Sequence, residues 1–216
     1  MRALMITLCL GLAVFAFGAF GQAASAQSKP GAAPARPVAP APAAPAQPPP
    51  KLSLAQIMDR QLTNLERDFV PAAEAMPEDK FNFAPTQGEF KGVRTFALQI
   101  KHVAHTNFMM FAALLGEKLP ANVDPKEDNG PEKMTSKTDI IKYLKDSFAM
   151  GHRAMNALTE ATLTERTADP TGGKGPGPTR LGAASLTLWH SFDHYGQMVE
   201  YLRMNGLVPP ASRQQQ

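Results

Sequence analysis

Two of the chain's five histidines, His190 and His194, stand four residues apart in Leu188-Trp-His-Ser-Phe-Asp-His-Tyr-Gly-Gln197. On a helix, residues at that spacing lie about 40° apart around the axis and about 6 Å apart along it, so both imidazoles can converge on one cation. The pair alone is a weak signal, because the same spacing recurs in satisfied polar pairs. Cysteine narrows the donor set further. The only one, Cys9, sits inside an apolar N-terminal run. Once that run is removed, no thiol remains for a disulfide, a covalent nucleophile or a thiolate-bound zinc. Any metal must therefore be held by histidine and carboxylate.

The elements that could position these side chains begin well into the chain. Residues 1–26 read as a signal peptide: Arg2 supplies the positive region, residues 3–20 are almost wholly apolar, and Ala24-Ser25-Ala26 is a small-x-small cleavage pattern. Cleavage after Ala26 implies a periplasmic or secreted protein with no membrane segment left. Residues 27–50, rich in Ala and Pro and closing on Pro48-Pro49-Pro50, bury too little apolar surface to order themselves and read as a disordered linker. Residues 51–212 are expected to form a single domain with one core.

Charge excludes one class of partner. Of the 22 basic residues, Arg2, Lys29 and Arg36 lie in the first fifty, which hold no acid, so 19 of each sign remain beyond. A formally neutral domain without a basic stripe gives no support to nucleic-acid binding. The run Thr171-Gly-Gly-Lys-Gly-Pro-Gly-Pro178 is not a phosphate loop: its spacing is wrong, and two prolines remove backbone donors such a loop needs. It is expected to be a flexible crossover.

Four segments carry helical periodicity, and none alternates as a strand. The first, 53–75, opens on Ser53 as N-cap and is expected to kink or end at Pro71. The second, 93–116, carries His102 on another side from its main apolar stripe, with His105 about 60° further round. The third, 137–160, follows Ser136 and Asp139 as a capping pair and places His152 in an apolar face, where it reads as a buried histidine with one hydrogen bond. The fourth, 179–205, stops at Gly206 and has two occupied faces. Leu181, Leu188, Phe192, Val199 and Leu202 form one; His190, His194, Tyr201 and Ala183 form the other. If the histidine face is the inner one, the leucine stripe is left for a homodimer interface.

Three phrases extend the reading. The passage HSFDHYGQMVEYLRMNGLVPPASR (190–213), the connector Met76-Pro-Glu-Asp-Lys-Phe-Asn-Phe-Ala-Pro85 and the triplet His102-Val-Ala104 resemble the DinB-like family. The resemblance implies an all-α four-helix bundle in which one histidine of the second helix and two of the fourth hold a divalent metal. By that pattern the ligands are His102, His190 and His194, with His105 as the alternative one turn away and no role for His152. Asp193, Gln197 and Tyr201 lie where they could orient a ligand or a bound water. Three imidazoles suit zinc or nickel first, with iron or manganese as alternatives, and leave a coordination position open.

Known activities of the family include small-thiol transfer, hydrolase-like and isomerase-like reactions. An exported protein lacks ready access to cytosolic thiols, so the sequence favours a metal-dependent hydrolase acting through metal-bound water on an unidentified small molecule. A non-catalytic metal-binding interaction module and a thiol transferase stand as alternatives. No catalytic acid or base is assigned.

Overall fold

Ser53 opens the first helix, α1 (Leu54–Ala75), through a reciprocal capping box: its hydroxyl accepts from Gln56 N–H, and the Gln56 side chain accepts from Ser53 N–H. The computed structural model describes residues 50–213, so the signal peptide and the linker expected over 1–49 lie outside the described residues. Helix α1 does not end at Pro71 but runs on to Ala75. Losing one backbone hydrogen bond and straining a turn costs about 3 kcal/mol, and the turn beyond it offsets this by burying Ala72, Ala73 and Met76 completely.

Helix α2 (Phe96–Leu115) begins three residues later than its periodicity suggests, at the N-cap Thr95. The reason lies in the connector. The carbonyls of Phe83 and Phe81 accept from Phe96 N–H and Ala97 N–H at 2.8 and 2.9 Å, satisfying two donors a helix start leaves open. The Phe81 ring meets Phe96 edge-on at 5.7 Å, which fixes the entry of the helix.

Helix α3 (Lys137–Asn156) is capped by Ser136 as expected but closes at Asn156, short of residue 160. A 3-10 turn (Glu160–Thr162) follows it. The crossover beyond carries a short strand pair: β1 (Arg166–Ala168) pairs antiparallel with β2 (Pro176–Thr179), placing Arg166 opposite Thr179. Strands this short, with three Pro or Gly among their seven residues, carry no readable alternation. Gly177 is required there, since a Cβ would collide with the Ala168 carbonyl oxygen.

Helix α4 (Arg180–Met204) starts on its N-cap Thr179, and Gly206, at φ 74°, reverses the chain after it. A single turn, α5 (Pro210–Arg213), closes the described chain.

Four long helices make the bundle. Helices α1 and α2 each pack against both α3 and α4. Phe69, Phe96, Phe111, Phe148, Leu62 and Leu144 fill the centre with no exposed surface. Most of the leucine stripe of α4 turns outward, with Leu181 and Phe192 exposed beside Trp189, but Leu202 from that stripe is buried with Ala183, Ala184, Thr187, Ser191, His194, Met198 and Tyr201, and His190 is half-buried. No helix among the described residues is long and apolar enough to cross a membrane.

Candidate metal centre

Small side chains on the inner face of α4 let it approach α2, and this brings His190 and His194 against His102. The three rings meet edge to face, with centroids 5.0 Å apart for His102 and His190, 4.9 Å for His102 and His194, and 4.6 Å for His190 and His194. One nitrogen from each ring lies within 4.8 Å of the other two. His105 and His152 stand apart from this cluster.

Each ring's outer nitrogen determines what its inner nitrogen can do. His102 Nδ1 lies 2.6 Å from the backbone carbonyl of Asp128, an atom that only accepts, so Nδ1 carries the proton and Nε2 is a free lone pair. His194 Nδ1 meets Gln99 Oε1, another acceptor, with the same consequence. His190 Nε2 stands 3.1 Å from His102 Nε2, and His190 Nδ1 is buried without a partner.

The surroundings keep the cluster neutral. Burial, then the neighbouring imidazoles, depress the pKa of His190 to about 4 and that of His194 to about 3. Burial lowers His102 too, against the opposing hydrogen bond to the Asp128 carbonyl. Neutral imidazoles are the donor set a divalent cation takes; at His102 and His194 the inward lone pair is already free, and at His190 a cation would take the place of the proton that Nε2 shares with His102. The residues therefore fit the metal the sequence implies.

The shell outside the rings is built from three elements. Arg94, just before α2, holds the loop that carries Asp128: its Nη2 donates to the Asp128 carboxylate at 2.5 Å and its Nε to Asn129 Oδ1 at 2.6 Å. Tyr201 does not touch the histidines. Its hydroxyl donates to the Arg94 carbonyl at 3.2 Å, and its ring meets Phe83 edge-on at 5.7 Å, so it braces the start of α2. Gln197 and Asp193 join the centre through Gln99, whose Nε2 donates to Gln197 Oε1 at 2.8 Å while Gln197 Nε2 donates to Asp193 Oδ2 at 2.9 Å.

Sequence reasoning missed Gln99, Arg94 and Asp128. Gln99 stands three residues before His102, on a neighbouring helical position, and that spacing was the signal available for it. The Asp128 contribution comes from its backbone, for which residue type gives no sign.

The other two histidines have their own partners. His105 is buried, its Nδ1 3.4 Å from the Tyr143 hydroxyl and its Nε2 unpartnered. His152 is not enclosed by apolar side chains. It spans α3 to α1 with Nδ1 2.7 Å from Asp59 and Nε2 2.9 Å from Glu66, two carboxylates rather than the single partner expected. Apolar neighbours on the helical wheel concealed this, because both carboxylates come from α1.

Bundle and centre together define a helical protein with a three-histidine site between two of its helices. The profile of the DinB superfamily matches residues 61–198, and the chain belongs to that superfamily. Among curated proteins, none matches it.

Proposed function

We propose that the protein binds one divalent cation, zinc or nickel, through His102, His190 and His194, and that it is a metal-dependent hydrolase acting on a small molecule outside the cytoplasm. The observation that carries this reading is the convergence of three neutral imidazoles whose tautomers, at His102 and His194, are set by carbonyl acceptors on the outer side. A bound cation would supply Lewis acidity and bring the pKa of a water into the neutral range. The chain's own part is to orient the rings. Asp128 holds His102, Gln99 holds His194, and Arg94 fixes the loop from which Asp128 reaches in.

Among the described residues the cluster comprises three histidines, which match the donor count of an open catalytic site rather than a closed structural one. That favours catalysis over a purely stapling role. The export expected from the sequence of residues 1–26 argues against thiol transfer. The exposed face of α4, with Trp189 61% and Phe192 41% accessible, supports a homodimer as part of the same reading.

The test is metal analysis of the mature protein, followed by assay against ester, amide and phosphoester panels with and without chelator. Stoichiometric metal with chelator-sensitive turnover supports the hydrolase. Stoichiometric metal without turnover on any panel supports the interaction module, and absence of metal after reconstitution ends both.

A further inference from the structure

The contacts beyond His194 form a chain with only one self-consistent direction. It ends at the Asp193 carboxylate, which can accept but not donate when ionised. Gln197 must therefore turn its Nε2 toward Asp193, at 2.9 Å, and this leaves its Oε1 facing Gln99. Gln99 must then turn its own Nε2 toward that oxygen, at 2.8 Å, which leaves Gln99 Oε1 facing His194 Nδ1. Reversing Gln197 would set its oxygen against the Asp193 carboxylate, and reversing Gln99 would set its oxygen against Gln197 Oε1. Amide orientation is ordinarily ambiguous, but here the terminal carboxylate decides it.

From this geometry we infer that Gln99 is a positioning residue which, oriented by Gln197 and Asp193, holds His194 in the Nδ1–H tautomer and aims its Nε2 lone pair into the centre. A carboxylate on the exposed side of α4 thereby sets the donor atom of a buried imidazole three hydrogen bonds away. Gln99 is suited to the task because it is 2% exposed, so no water competes for its amide. The relay itself is independent of any metal. Its effect on cation affinity rests on the function proposed above.

The relay is tested in the metal-free protein, with histidines labelled with nitrogen-15, by long-range proton–nitrogen correlation at neutral pH. In the wild type His194 should show a protonated Nδ1 and an unprotonated Nε2. Gln99→Leu, which removes the acceptor, should convert it, wholly or in part, to the Nε2–H form. Asp193→Ala, at an exposed position, guards against misfolding of the buried variant and should release a detectable Nε2–H population. Zinc affinity, measured by competition, should fall about ten- to a hundredfold in Gln99→Leu. An unchanged His194 tautomer in both Gln99→Leu and Asp193→Ala overturns the relay. If the tautomers respond as expected but the wild type takes up no zinc, the relay stands and the metal reading falls.

Discussion

His102 Nε2 lies 3.1 Å from His190 Nε2, although the two residues are 88 positions apart. Since His102 Nδ1 already donates to the Asp128 carbonyl, its Nε2 offers a lone pair, and a proton on His190 Nε2 or a cation must occupy the space between. The same contact explains the unpartnered Nδ1 of His190: a neutral ring that donates from Nε2 has a bare acceptor at its other nitrogen.

Replacing one ligand at a time separates the five histidines. Metal content of purified, reconstituted protein should collapse in His102→Ala, His190→Ala and His194→Ala, because two imidazoles hold a divalent cation far less tightly than three. His105→Ala and His152→Ala should retain full occupancy. Loss in His105→Ala with retention in His102→Ala would transfer the third ligand by a turn.

Metal binding should be insensitive to pH over most of its range. With His190 depressed to about 4 and His194 to about 3, both are already unprotonated well below neutrality, so raising the pH frees no further donor. Competition titrations should give a flat affinity from about pH 8 to pH 6 and a steep fall below about pH 4, where protons displace the cation. A fall centred near the ordinary histidine value would mean the rings are more open to water than this structure has them.

His152 should contribute stability on the acidic side. Burial alone would lower its pKa, but the hydrogen bonds to Glu66 and Asp59 outweigh it and raise the value above the ordinary 6.5. A group whose folded pKa is raised stabilises the fold fully below its unfolded pKa and loses that contribution as pH rises through the folded one. Urea unfolding of His152→Ala should show a loss of about 1 to 2 kcal/mol near pH 5.5 that shrinks toward pH 9.

Gly151 is a point of close packing inside the bundle. A Cβ there would lie 2.6 Å from Phe111 Cε2 and 2.8 Å from Leu62 Cδ2. Gly151→Ala should therefore cost about 1 to 3 kcal/mol in thermal or denaturant unfolding, despite the better helix propensity of alanine. A gain in stability would show that Phe111 and Leu62 can shift aside.

The outer face of α4 is tested by Phe192→Glu. As Phe192 is exposed, the fold should survive with its unfolding midpoint nearly unchanged, and sedimentation should report dissociation of the dimer we propose. Loss of the fold itself would mean that Phe192 is core.

What the sequence determined by itself is local. Helix starts at Ser53 and Ser136, the stop at Gly206 and the pairing of His190 with His194 are written within a turn or two of chain, where capping chemistry and the 3.6-residue period act. The triplet at His102 carried the third ligand through family likeness rather than through spacing. Tertiary structure alone decided which face of α4 turns inward, because the leucine stripe is the more apolar by sequence and only packing against α2 selects the side that carries the histidines and small residues. Small residues on the histidine side allow the close approach, and the bulk of Trp189 and Phe192 stays outside. It also decided the Asp128 carbonyl, the two carboxylates on His152 and the amide chain through Gln99. Hydrogen bonds between groups dozens of residues apart depend on distances and directions that exist only once the helices have packed.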